Sequence, residues 1–88
     1  MAGYSLRIKP SAVREIEDID RKADRRRVVE RIERLAEEPR PRGCVKLAGG
    51  ERYRVRQGRC RIVYEIRDAD LIVLIVRVGD RRDVYRDT

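Results

Sequence analysis

The sequence predicts an α+β fold with the element order β-α-α-β-β-β, a helix hairpin packed on a mainly antiparallel sheet. Three observations lead there. An alternating apolar stretch opens the chain, two amphipathic helical stretches follow, and three strand-like stretches joined by short turns close it. Helices grouped between one strand and a run of strands belong on one face of the sheet. Eighty-eight residues suffice for one core of two layers, so residues 1–88 are read as a single domain.

Each element has its own signal. Tyr4, Leu6 and Ile8 alternate with Ser5, Arg7 and Lys9, the period of a strand. Pro10 stops it, and Ser11 is a suitable N-cap for a first helix. Val13, Ile16 and Ile19 then recur at helical spacing. Polar "DRKAD" interrupts the pattern, and Asp24 can cap a second helix whose apolar stripe is Val28, Ile32, Leu35 and Ala36. Pro39 and Pro41 end it. A loop with a short extended piece at Cys44 to Leu47 leads to three strands, near 53–56, 59–67 and 71–78. Gln57-Gly58 supplies the first turn and Asp68-Ala69-Asp70 the second, which makes an antiparallel meander.

With a two-residue turn at Gln57-Gly58, Arg56 faces Arg59, Val55 faces Cys60, Arg54 faces Arg61 and Tyr53 faces Ile62. Side chains alternate across a strand. Tyr53, Val55, Cys60, Ile62, Tyr64 and Ile66 therefore share the core face, and Arg54, Arg56, Arg59 and Arg61 share the other. A three-residue second loop pairs Arg67 with Leu71, brings Arg61 near Arg77, and sets Leu71, Val73 and Ile75 on the arginine face. A bulge would shift one arm by a residue and flip its faces. Like charges placed opposite one another cost roughly a few tenths of a kcal/mol per pair at a solvated surface. Such a cluster of guanidiniums suits phosphate, since each donates two parallel hydrogen bonds.

The formal net charge is +7, which points to a polyanion or an acidic protein as partner. The same charge would also suit a soluble domain with an arginine-rich surface. No stretch is long and apolar enough to span a membrane, and the N-terminus lacks the apolar core of a signal peptide, so a cytoplasmic protein is expected. There is no histidine and no CxxC, so no metal site and no cofactor are expected. Cys44 and Cys60 read as small apolar fillers rather than a disulfide.

The stretches "KLAGGERYRVRQGRCRIVYEI" and "VRVGDRRDVYR" resemble the RelE/ParE superfamily of bacterial and archaeal toxins. The family pattern is an L-x-G segment, a Y-R/K-x-R/K strand, a G-x-Y-R-hydrophobic-V-Y strand and a V-G-x-R…Y ending. The resemblance spans nearly the whole chain. It implies a microbial-ribonuclease-like fold and a cognate antitoxin as partner. Two activities are open within it: the RelE branch cuts mRNA in the ribosomal A site, and the ParE branch poisons DNA gyrase.

Carried over residue by residue, the RelE pattern implies a catalytic set of Arg54, Arg56, Arg61, Arg81 and Tyr85. Lys46, Arg52, Arg59, Arg77 and Arg82 would add RNA-binding charge around it. Because every RelE position is filled, the ribonuclease branch is favoured, with the ribosome and mRNA as further partners. Some members have lysines where this chain has Arg54 and Arg56, and Cys60 replaces an aromatic residue. Arginine stays charged, so the motif offers no general base, and the isolated protein is expected to cleave nothing. A non-catalytic basic module that binds an antitoxin is the remaining alternative.

Overall fold

The computed structural model describes residues 3–80. The first strand, β1 (Ser5–Ile8), leads into α1 (Pro10–Glu17) and α2 (Lys22–Glu37). Four strands come after them: β2 (Val45–Lys46), β3 (Arg52–Gln57), β4 (Cys60–Arg67) and β5 (Ile72–Asp80). They form one five-stranded sheet in the order β1-β5-β4-β3-β2. Every neighbouring pair is antiparallel except β1 with β5, where Ser5 to Ile8 run parallel to Ile72 to Ile75. The fold is therefore α+β, as the element order predicts. No helix among the described residues is long and apolar enough to cross a membrane.

The helix starts differ from the sequence reading. Pro10 occupies the first turn of α1, where its fixed φ is preorganised and its missing N–H is no loss. Lys9 is the N-cap, without a side-chain hydrogen bond, and Ser11 lies inside the helix. Arg21 caps α2, and Asp24 sits in the first turn, where its charge complements the helix dipole. Ala12 and Ile16, one turn apart, form the buried stripe of α1, whereas Val13 stands beside it at 38% exposure.

The core lies between the helices and one face of the sheet. Val28, Ile32 and Leu35 of α2 and Ala12 and Ile16 of α1 pack on Tyr53, Val55, Ile62, Tyr64, Ile66, Val73, Ile75 and Val78. Each large aliphatic side chain so buried stabilises the fold by about 1.5–3 kcal/mol. Cys44 and Cys60 form no disulfide and pack against the rim of this cluster.

Two features of the meander depart from strict alternation. The β4–β5 loop has four residues, Asp68 to Leu71, with Leu71 in the left-handed region at φ 54°. Arg67 therefore pairs with Ile72, and Val73 and Ile75 face the core rather than the arginine face. Further along, Tyr64 pairs with Ile75 but Val63 with Arg77, leaving Val76 as an extra residue in a β-bulge. The bulge turns Val78 inward opposite Ile62 and sends Arg77 to the outer face.

Candidate functional site

The outer face of β3, β4 and β5 carries the candidate site. In β3–β4 the two-residue turn is Gly58-Arg59, not Gln57-Gly58, with Gly58 at φ 61°. A positive φ at the first turn position is the demand of the hairpin turns whose twist matches the strands, and glycine meets it without strain. The register consequently slips by two residues from the expected one. A slip of two preserves the faces but changes the partners: Arg56 opposes Arg61, Arg54 opposes Val63, and Arg52 opposes Glu65. Arg59 leaves the face for the exposed turn.

Arg61 is the centre of this arrangement. Its neighbours across the sheet are Arg56 on β3 and Gly79 on β5. It is only 3% exposed, the sole buried charged residue among the described residues. Burial to this degree restricts the rotamers open to its side chain. Arg54 is half-buried one diagonal step away, and Arg56 is exposed. Val63, buried between Arg54 and Arg77, gives the face an apolar floor.

Other arginines are committed within the chain. Arg52 and Arg67 both hold Glu65, at 3.0 and 3.3 Å. Burial alone would push the Glu65 carboxyl up, but the hydrogen bonds from Arg52 and Arg67 hold it below the usual carboxylate range. Arg77 donates to Glu15 Oε2 on α1 at 3.0 Å, so its guanidinium reaches the sheet edge. Lys46 pairs with Tyr53 in register and therefore lies on the helix side of the sheet, while exposed Val45 is on the arginine face. Arg81, Arg82 and Tyr85 lie outside the described residues.

A second polar cluster ties the loops together. Arg40 grips Asp68 with two hydrogen bonds, of 2.9 and 3.3 Å, and Tyr4 donates to the same carboxylate at 2.6 Å. These donors, Arg40 first, hold the Asp68 carboxyl below its ordinary value. Arg40 also donates to the Tyr53 hydroxyl and lies 5.2 Å from that ring's centroid. Tyr53 stacks on Tyr64. The Tyr64 hydroxyl donates to the Pro39 carbonyl at 2.7 Å, and burial pushes its phenol up, so it remains a donor. Arg40 thus acts as a clasp between loops rather than as part of the basic face.

The sequence reading did not single out Glu65 or Glu15. Glu65 was within reach, because it lies four residues after Arg61 and hence on the same face. Glu15 was not, since its partners on β5 are more than 60 residues away.

A family model described as "ParE toxin of type II toxin-antitoxin system, parDE" matches residues 6–85. The chain belongs to the ParE toxin family. Solved structures place this ParE-family toxin beside RelE proteins. It is 29% identical to a chain of the archaeal RelE–RelB complex from Pyrococcus horikoshii, with a TM-score of 0.80 over 90% of this chain and 96% of that one. It is 28% identical to a chain of the RelBE2 toxin–antitoxin complex from Mycobacterium tuberculosis, with a TM-score of 0.78 over 90% and 99%. The free RelE toxin mutant of E. coli, at 24% identity, shares the fold with a TM-score of 0.77 over 98% and 93%. No curated protein matches the sequence. The protein is a RelE-like toxin of the type II toxin–antitoxin class.

Proposed function

We propose that the toxin is a ribosome-dependent endoribonuclease that cuts mRNA in the A site and so inhibits translation in the cytoplasm. One observation carries this reading: Arg61 is buried on a face that also bears Arg54 and Arg56. Cleavage proceeds by attack of a ribose 2′-hydroxyl on the adjacent phosphorus, with the 5′-oxygen leaving. Negative charge grows on the phosphate oxygens, and preorganised cations stabilise it where it develops. Arg61, with Arg54 or Arg56, receives that charge. Arg81 is assigned to the leaving oxygen, and Tyr85 to stacking on an unpaired base.

The proton steps belong elsewhere. Glu65 is held ionised by Arg52 and Arg67 and Asp68 by Arg40 and Tyr4, so neither carboxylate is a base tuned to neutral pH. The ribosome supplies the proton acceptor, and the free protein does not cut RNA. The partner that silences the toxin is a cognate antitoxin, as in the RelE–RelB and RelBE2 complexes that the fold matches.

The family model, named for ParE, favours a second reading, in which the target is DNA gyrase. One assay separates them. The toxin is added to an in vitro translation reaction and mRNA 5′ ends are mapped by primer extension. Codon-phased cuts that vanish in Arg61→Ala support the ribonuclease. Uncut mRNA together with trapped gyrase–DNA complexes sinks it in favour of the gyrase poison.

A further inference from the structure

β1 covers only half of the β5 edge. Its last pairing is Ile8 with Ile75, and the last backbone bond runs from the Lys9 N–H to the Ile75 carbonyl. Beyond the bulge at Val76, no strand among the described residues lies along this edge of β5. At that point Glu15 of α1 takes over. Its Oε1 accepts the Val78 N–H at 2.8 Å, and its Oε2 accepts the Arg77 guanidinium at 3.0 Å. One carboxylate thus binds two consecutive residues of the strand, one through the main chain and one through the side chain.

The bound segment is the one that matters to the arginine face. Val78 is fully buried opposite Ile62, and the next residue, Gly79, stands opposite Arg61. Two residues after Gly79 in the chain comes Arg81. We propose that Glu15 is a positioning residue of the toxin: it stands in for a neighbouring strand, pins the end of β5 after its bulge, and so sets the backbone opposite Arg61 in the geometry the reaction needs. The kinetic part of this proposal rests on the ribonuclease reading; the structural part does not.

The test compares E15A and E15Q with the wild type by amide hydrogen exchange and by mRNA cleavage on ribosomes. In E15A the Val78 amide exchanges at least about tenfold faster, while the amides of Ile62 and Tyr64 keep their protection and report an intact sheet. The cleavage rate at saturating ribosomes falls by about tenfold or more, and the ribosome concentration for half-maximal rate stays level. E15Q keeps an acceptor for the Val78 N–H and recovers protection and most of the rate. Unchanged exchange at Val78 in E15A, or faster exchange with wild-type cleavage, overturns the proposal. Should the wild-type protein cut no mRNA, the ribonuclease reading falls, and growth arrest on expression replaces cleavage: arrest weakened in E15A and restored in E15Q sustains the role of Glu15, and undiminished arrest in E15A refutes it.

Discussion

On one face of the β3–β4 hairpin, Tyr53 lies opposite Tyr64 and Val55 opposite Ile62; on the other, Arg56 lies opposite Arg61 and Arg54 opposite Val63. The first face is sealed against α1 and α2 and collects the apolar burial that stabilises the fold. The second sets like charges against each other, an arrangement that weakens a sheet. Residues adjacent in sequence therefore serve opposite ends, since alternation sends each to its own face. Function and stability should be separable by substitutions on the two faces of one hairpin.

The largest effect is expected at Arg61. Arg61→Ala should lower mRNA cleavage by roughly 10²–10³-fold, the usual loss when a fixed charge-stabilising donor is removed, and abolish growth arrest in cells. Far-UV circular dichroism should keep the wild-type spectrum. Full toxicity in this variant would break the assignment of function to the outer face.

The core face gives the complementary result. Ile75→Ala, at a fully buried position beside Tyr64, should cost about 2–5 kcal/mol in urea denaturation. A loss well under about 1 kcal/mol would mean that this face does not carry the stability.

The polar clusters come next and are read by pH. Asp68 and Glu65 both have carboxyls held below their ordinary values in the folded state. Their contribution is therefore complete above the ordinary carboxylate range and is lost as pH falls through the folded values. The melting temperature should stay level from pH 7 to about pH 5 and decline below that. Arg40→Met removes one of the two charge clasps and should flatten part of the decline; an unaltered pH profile would show that the Arg40–Asp68 clasp contributes nothing.

The smallest effect is expected at Arg56. Arg56→Met removes a charge directly opposite Arg61 and should raise stability by roughly a few tenths of a kcal/mol while weakening growth arrest. A clear loss of stability would mean that the two arginines are held together by a bridging anion or a shared partner rather than opposed.

Much of this was legible in the residues. The two helices, the apolar stripe of α2, the meander and the core face of the hairpin all follow from period and turn chemistry. So did the sharing of one face by Arg54, Arg56 and Arg61, because the register slip was by two residues and left the faces unchanged. The expected placement of Val73 and Ile75 did not survive. Alternation from a three-residue loop put them on the arginine face, but the fourth loop residue, Leu71, flips the start of β5 and the bulge at Val76 flips its end. Lys46 lies on the helix side, a placement open in the sequence, for the pairing of a two-residue strand is set by its neighbour and not by its own pattern.

Which residues are apolar, at what period they recur and where the chain can turn are all written in the order of the residues. These are local properties, and they were enough for the fold class, the family and the arginine cluster. Which arginines serve as clasps between elements, and which converge on the candidate site, depends on the folded arrangement. Arg40 goes to Asp68, Arg52 to Glu65 and Arg77 to Glu15, and each pairing spans 13 residues or more. No periodicity encodes such distances. Whether a charge is a clasp or part of a binding face depends on what the fold brings within about 3 Å of it.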